Sequence, residues 1–117
     1  MTDNTDEAIF DRVALETAAG RPLVLATVIA RRGSVPREIG AKMIFWANGE
    51  AQGSIGGGCV EARVAAEARD VHLRTRGPRV VSVHLTDVPE GGTGDVCGGQ
   101  MDVFLDYLKP ETNDVSD

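Results

Sequence analysis

Residues 53–62 read GSIGGGCVEA, and this stretch decides how the chain is interpreted. Three consecutive glycines lead into Cys59, after which apolar residues recur at three- and four-residue spacing. This pattern predicts an amphipathic helix that begins at about Cys59 or Val60 and ends at Gly77-Pro78. Its apolar positions are Val60, Val64, Ala68 and Val71. Its polar face carries two pairs spaced for ion pairing, Arg63–Glu67 and Asp70–Arg74.

A second helix is predicted upstream, over Asp6–Ala19. Acidic residues occupy its first turn, Asn4 with Glu7 resembles a capping box, and Gly20 supplies a stop signal. The apolar face is expected to contain Phe10, Val13, Ala14, Thr17 and Ala18.

The strands are indicated by short apolar or alternating runs. LVLATVIA, residues 23–30, is unbroken and β-branched, as expected for a central strand buried on both faces. Residues 41–55 predict a hairpin that turns at Asn48-Gly49, where both residues would take positive φ. Two later strands are predicted at RVVSVHL, residues 79–85, and MDVFLDYL, residues 101–108. The expected inward positions are Val81, Val83, Leu85, Met101, Val103, Leu105 and Tyr107.

The order helix, strand, hairpin, helix, strand, strand predicts an α/β or α+β fold. We expect a single domain over residues 1–110, with one mixed β-sheet of about five strands and two main helices. Residues 111–117 are expected to form a polar, disordered tail.

Composition excludes several functions. The net charge of −6 argues against nonspecific binding to nucleic acid or to an anionic membrane. No apolar run approaches the length of a membrane span and the N-terminus lacks a signal-peptide layout, so we expect a cytoplasmic protein with reduced cysteines. One window, ARRGSVPREIGAK, is nevertheless basic, and it is read either as a solvated loop or as a local anion site. Its cations are Arg31, Arg32, Arg37 and Lys42.

The glycines before Cys59 leave the backbone bare at a helix start, where unpaired N–H groups and the helix dipole favour an anion such as phosphate. The same field favours a thiolate at Cys59, which suits a metal or sulfur-transfer site. Cys97 lies in a second glycine-rich loop. The alternative is that the glycines serve packing and that either cysteine is a small buried hydrophobe. Neither cysteine is spaced for zinc, and no carboxylate pair or nucleophile–base pair indicates a hydrolase.

Three segments together resemble the N-terminal domain of the XdhC/CoxI family of molybdenum hydroxylase maturation factors. They are LATVIARRGSVPREIGAKM (residues 25–43), GEAQGSIGGGCVEARVAAEA (residues 49–68) and DVCGGQMDVFLDYL (residues 95–108). The segment around Cys59 is the most specific of them. The loop SVPREIGA departs from the family pattern, in which a second proline-rich step follows the arginine.

The resemblance implies an accessory chaperone rather than an enzyme. Such a chaperone transiently binds the molybdenum cofactor, as molybdopterin or a nucleotide form of it, while a cysteine desulfurase supplies the terminal sulfur. It then passes the cofactor to an apo-hydroxylase of the xanthine dehydrogenase or CO dehydrogenase type. Many members continue into a dinucleotide-fold domain, so a separate subunit of that kind or a homo-oligomer is expected, without nucleic acid or membrane.

The resemblance also implies a set of cofactor-binding residues. Cys59 would be the key residue and a molybdenum contact, while Arg37 would oppose the cofactor phosphate. The remaining residues of the set are Ser34, Ser54, Gly56, Gly57, Gly58, Cys97, Gly98 and Gly99. We further expect the two glycine loops to converge at one edge of the sheet, with Cys59 near Cys97.

Two other functions remain open from the sequence. The chain could be an interaction module that bridges the hydroxylase and its maturation partners without holding the cofactor. It could also be a thiol redox protein that uses Cys59 and Cys97, which requires their Cα atoms to lie within about 7 Å.

Overall fold

The computed structural model describes residues 5–33, 38–84 and 99–109. In chain order these residues form α1 (Asp6–Ala19), β1 (Leu23–Arg32), β2 (Lys42–Phe45), β3 (Ala51–Gly53), α2 (Gly58–Asp70), β4 (Arg79–His84) and β5 (Gln100–Leu108). A π-helical turn, Val71–Thr75, continues α2. The predicted fold of two helices on a five-stranded sheet is confirmed.

The strands lie in the order β3-β2-β1-β5-β4, and every neighbouring pair is antiparallel. A mixed sheet was expected, so this detail is corrected to an antiparallel sheet of the α+β type. The reason lies in the connections. The helix α2 joins β3 to β4, and these two strands occupy opposite edges of the sheet, so the helical crossover never brings parallel strands side by side.

The sheet separates two hydrophobic clusters because alternate residues of each strand face opposite sides. On one side α1 covers a small cluster of Ile9, Leu23 and Ile44. On the other side α2 covers the larger cluster, to which β1 contributes Val24, Ala26 and Val28. The central position of β1 is confirmed, but burial on both faces holds only for its first half, since Ile29 is 45% exposed.

The predicted apolar face of α1 is only partly correct. Val13 packs against the small cluster as expected, but Phe10 is 52% exposed, and the buried residues of this helix are Ile9 and Glu16. A periodicity argument places a glutamate on the polar face, but here its carboxylate has partners from outside the helix. Arg21 Nε and Trp46 Nε1 donate to Glu16 Oε1 at 2.7 and 3.0 Å. Burial of the charged group is tolerated because its oxygens are hydrogen-bonded.

The helix start is also corrected. Thr5 is the N-cap of α1, and its hydroxyl accepts a hydrogen bond from the Ala8 N–H at 3.1 Å. Asn4, the expected cap, lies outside the described residues. At the other end Gly20 adopts the left-handed conformation with φ 81°, as the stop signal predicted.

The hairpin between β2 and β3 is confirmed, but its turn differs from the expected one. Gly49 N–H donates to Trp46 O at 3.1 Å, and Trp46 N–H donates to Glu50 O at 2.9 Å. Among these residues only Gly49 has positive φ. The loop therefore contains three residues, a type I turn followed by a left-handed glycine, rather than a two-residue Asn-Gly turn.

The second helix follows its prediction closely. Val60, Val64 and Ala68 are buried on its inner face, and the π-helical turn buries Val71. Both expected ion pairs form, Arg63–Glu67 at 3.7 Å and Asp70–Arg74 at 3.1 Å. The expected inward residues of β4 and β5 are buried, except that Tyr107 is partly exposed and Leu85 lies outside the described residues.

Candidate functional site

The candidate site is the junction between β3 and α2, residues 53–61. Gly57 is the N-cap of α2 and has φ 92° and ψ −179°, a conformation that is essentially restricted to glycine. Gly56 also has positive φ, at 146°. The backbone path therefore requires glycine at positions 56 and 57, which turn the chain from the edge strand into the helix.

A residue that the sequence analysis did not single out holds this loop in place. Glu61 lies in the first turn of α2, and its Oε2 atom accepts three hydrogen bonds from the preceding loop. The donors are Ser54 Oγ at 3.1 Å, Ile55 N at 3.2 Å and Gly57 N at 3.1 Å. The carboxylate thus supplies the negative charge that a helix start favours. The sequence did contain one signal for this role of Glu61. It is an acidic residue in the first turn of a predicted helix whose N-cap position, a glycine, has no side chain to cap the helix.

Cys59 is the second residue of α2, and its side chain is exposed. None of the described residues accepts a hydrogen bond from the N–H of Gly58 or Cys59, both of which precede the first intrahelical donor. A Cβ atom built on Gly57 or Gly58 would meet no atom within 4 Å. The junction therefore presents a thiol and two backbone donors to open space.

The far end of the helix locates this junction relative to the sheet. His72 Nε2 lies 3.0 Å from Phe45 O, and the His72 ring meets the Tyr107 ring edge-on at 5.6 Å. Phe45 and Tyr107 both pair with Val24, near the beginning of β1. A helix of this length spans about 20 Å. The C-terminal end of the helical segment therefore lies where β1 begins and β5 ends, and the junction lies about 20 Å away along the helix axis.

The expected convergence of the two glycine loops can be followed only in part. Gly99 is buried immediately before β5. Ser34, Arg37, Cys97 and Gly98 lie outside the described residues. Their roles, and the approach of Cys97 to Cys59, stay predictions.

Two cations of the basic window have acidic partners. Arg31 lies 3.4 Å from Glu38, and Lys42 lies 3.9 Å from Asp6 while donating to Gly40 O at 2.8 Å. The positive charge of these two residues is thus partly neutralised within the chain, which favours the solvated-loop interpretation for them.

The histidines and the tryptophan are structural or exposed. His72 is buried and bonded to a main-chain carbonyl, whereas His84 is exposed on β4. Trp46 packs in the hairpin and donates to Glu16. Within residues 5–33, 38–84 and 99–109, no cluster of three or more His, Cys, Asp or Glu side chains is arranged to hold a metal ion. No helix in this part of the chain is both long and apolar enough to cross a membrane.

These observations define the type of protein: an antiparallel α+β domain with an exposed cysteine at the glycine-rich start of a helix. The family model described as "XdhC and CoxI family" matches residues 17–84. The chain therefore belongs to the XdhC and CoxI family, and the predicted family resemblance is confirmed.

Individual relatives extend the comparison. The uncharacterized protein YqeB of Escherichia coli is 35% identical over 83% of this chain and 18% of its own length. The molybdenum cofactor insertion chaperone PaoD of Escherichia coli is 39% identical over 61% of this chain and 22% of its own length. The chain thus spans about a fifth of these curated relatives.

A solved structure is similar as well. The crystal structure of a xanthine dehydrogenase from Bacillus halodurans matches with a TM-score of 0.65 and 36% identity. The match covers 83% of this chain and 30% of that chain.

Proposed function

We propose that this chain assists the maturation of a molybdenum hydroxylase and receives the molybdenum cofactor at the N-terminus of α2. Membership of the XdhC and CoxI family supports this role, as does similarity to a protein named for molybdenum cofactor insertion. In this proposal the chain is a chaperone rather than a catalyst.

The observation that carries the proposal is the exposed Cys59 thiol beside the N–H groups of Gly58 and Cys59, which have no acceptor among the described residues. A thiol is a soft ligand suited to a metal–sulfur centre, and N–H groups at a helix start suit a phosphate. The bare backbone at Gly57 and Gly58 leaves space for the approach of a bulky group. The residues present therefore fit the cofactor, which supplies the molybdenum and the sulfur chemistry when it is bound.

Two of the residues expected to bind the cofactor have a different role in this proposal. Ser54 and Gly57 donate to Glu61, so they are assigned the role of shaping the loop rather than of contacting phosphate. The N–H groups of Gly58 and Cys59 are the proposed phosphate donors, and Gly56 contributes by lacking a side chain. Arg37, Ser34, Cys97, Gly98 and Gly99 complete the proposed site.

The partners follow from the same proposal. The chain would hold the cofactor transiently during sulfuration by a cysteine desulfurase and would then deliver it to an apo-hydroxylase. A dinucleotide-fold subunit or a second copy of the chain would complete the assembly.

The test is cofactor loading. The chain is expressed in cells that make the cofactor, purified and oxidised, and the pterin fluorescence is measured per mole of protein. We expect Cys59→Ser to retain at most about one tenth of the pterin that the wild type retains, because the soft sulfur ligand is lost. Ala62→Ser is the matched control, since Ala62 is also exposed and lies one turn further along α2.

Equal pterin in the wild type and in Cys59→Ser would contradict the proposed role of Cys59. If neither protein retains pterin and both still associate with the apo-hydroxylase, the chain is an interaction module instead. A cysteine redox function would require a disulfide between Cys59 and Cys97, which mass spectrometry after alkylation detects.

A further inference from the structure

The strand β4 (Arg79–His84) forms one edge of the sheet. It pairs with β5 on one side, and no strand of residues 5–33, 38–84 or 99–109 pairs with its other side. An edge strand leaves a row of backbone N–H and C=O groups without strand partners, and such a row can accept a further strand. Within the described part of the chain, the outer side of β4 is therefore available for strand addition.

The two edges of the sheet differ in how well they are protected. The other edge strand, β3, contains three residues and ends at Gly53. By contrast, β4 contains six residues, three of which are valines, and it pairs with β5 at consecutive positions without a bulge. Proteins commonly protect an edge with lysine, proline, a bulge or a very short strand, and β4 has none of these features. It is therefore the edge of the described sheet that favours addition of a strand.

The side chains of β4 alternate between the two faces of the sheet. Val81 and Val83 lie on the α2 face and are 4% and 5% exposed. Val80, Ser82 and His84 are exposed on the opposite face. The pattern of the strand is thus symmetric about Ser82, with a buried valine on each side of it. A strand with this symmetry matches a copy of itself that runs in the opposite direction.

Symmetry limits how two such strands can pair. A twofold axis between antiparallel edge strands is perpendicular to the sheet, and residues directly opposite each other point to the same face. With the axis at Ser82, this residue faces its own equivalent, and Val81 faces Val83 of the second copy. On the other face, Val80, which is 56% exposed, then packs against His84 of the second copy.

The neighbouring registers are less favourable. An axis at Val81 would place Arg79 opposite Val83 of the second copy, a charged side chain beside an apolar one. The Arg79 guanidinium is already engaged on the α2 face, where it donates to Glu67 and Asp70 at 2.8 Å each. An axis at Val83 would pair only residues 82–84 of the described strand. The register centred on Ser82 leaves the arginine bridge intact and brings the valines together.

We propose that β4 pairs with β4 of a second copy of this chain, antiparallel and centred on Ser82. The two five-stranded sheets then form one continuous sheet, with both α2 helices on the same face. Each copy contributes one short strand, so the contact buries less than the roughly 1,200 Å² at the lower limit of standard-size interfaces. We therefore expect a weak dimer in reversible exchange with the monomer. Self-association through β4 does not depend on the proposed cofactor site, so either proposal can fail without the other.

The first test uses the unmodified chain. Sedimentation velocity between about 5 and 500 µM should show an average mass that rises toward that of a dimer. Over the same range, amide hydrogen exchange should slow within residues 80–84, because N–H groups at the outer edge gain acceptors. Exchange in β3 (Ala51–Gly53), at the opposite edge, should stay unchanged.

Charge variants at Ser82 test the register, because only a residue on the twofold axis faces its own equivalent. Ser82→Glu should weaken dimerisation about fivefold, since two carboxylates then lie opposite each other. Ser82→Lys should weaken it less, because Asp102 of the neighbouring strand, 2.7 Å from Ser82 Oγ, offsets part of the charge. An equimolar mixture of the two variants should associate within about twofold of the wild type, since opposite charges then face each other.

Ala51→Glu is the matched control, since Ala51 is exposed on the opposite edge strand and receives the same charge. Its dimerisation should equal that of the wild type. Because Ser82 is exposed, both of its variants should fold, and thermal melts followed by circular dichroism check this.

Three results would overturn the proposal. One is a chain that stays monomeric up to about 500 µM, which would mean that any partner of this edge is a different protein. Another is a dimer whose slowed exchange lies outside residues 80–84. The third is a mixture of the Ser82 variants that associates no more tightly than either variant alone. The first two results come from the unmodified chain, so they stand even if a variant fails to fold.

Discussion

Glu61 shows how one carboxylate can organise a loop that otherwise consists of bare backbone. Its single Oε2 atom collects two backbone donors and one hydroxyl within 3.2 Å. The loop in turn sets where α2 begins and hence where Cys59 is presented. A glycine-rich segment has high conformational entropy when unfolded, so these three bonds offset part of the cost of ordering it.

We predict that Glu61→Ala lowers the free energy of unfolding by about 2 kcal/mol, because hydrogen bonds to a charged acceptor are lost. The effect should be local at first, with amide exchange at Ile55 and Gly57 faster by about 30-fold. Hydrogen exchange followed by NMR and urea unfolding measure the two quantities. Glu50→Ala, at an exposed position in the hairpin, is the control. Unchanged exchange at Ile55 and Gly57 would show that the carboxylate does not hold the loop.

At the scale of elements, the β2–β3 hairpin depends on a glycine outside its turn. Gly53 has φ 106°, and a Cβ atom added there would lie 2.5 Å from Lys42 O and 3.2 Å from Ile9 Cδ1. The first of these neighbours is backbone of the paired strand and the second belongs to α1. The edge strand therefore approaches its surroundings closely only because this position lacks a side chain.

We predict that Gly53→Ala destabilises the protein by about 3 kcal/mol, from backbone strain and from the clash with β2 together. Gly49→Ala is the matched comparison, since Gly49 has φ 96° but open space around a new Cβ. Its cost should be about 1 kcal/mol, from strain only. Urea unfolding of both variants tests the difference, and equal losses would show that the clash is relieved by movement of the edge strand.

A second link between elements joins α2 to β4. The Arg79 guanidinium donates to Glu67 at 2.8 Å and to Asp70 at 2.8 Å. These two carboxylates raise the pKa of Arg79 through hydrogen bonds, first from Asp70 and then from Glu67. Because one planar group bridges two acceptors, lysine is not an equivalent replacement at this position.

For the molecule as a whole, acid stability depends on a buried carboxylate. Hydrogen bonds from Arg21, together with those from Trp46 and Arg12, lower the pKa of Glu16 from 4.5 to about 2, against the opposing effect of burial. The folded state thus favours the ionised form. The resulting stabilisation is complete above pH 4.5 and is lost as the pH falls from there through about 2.

We predict that Glu16→Gln lowers the free energy of unfolding at pH 7 by about 3 kcal/mol, corresponding to the pKa difference. The difference in the free energy of unfolding between wild type and variant should decrease as the pH falls below 4.5 and should nearly vanish at about pH 2. Thermal or urea unfolding across this pH range measures it. Asp11→Asn, an exposed change on the same helix, should leave the pH profile unaltered. A constant gap at all pH values would mean that Glu16 is not ionised in the folded protein.

The sequence predicted those features that depend on neighbours a few residues apart. The helix α2, its buried valines and its two ion pairs all follow from spacing along a single helix. The burial of Glu16 did not follow, because its partner Trp46 lies in another element. At the candidate site the helix start could be predicted to within a residue or two, but the sequence left open whether Cys59 is exposed or buried. The acceptor role of Glu61 required the folded path of the glycine loop.

The strand order has a consequence for how the protein is made. The last strand, β5, lies between β1 and β4, and Leu23 pairs with Leu108. During synthesis the chain emerges from its N-terminus, so β1 and the β2–β3 hairpin leave the ribosome with one edge of β1 unpaired. That edge is closed only when residues 100–108 arrive. The backbone edge of β1 therefore stays unpaired throughout the intervening synthesis, and an unpaired strand edge of this kind is a template for pairing with another chain.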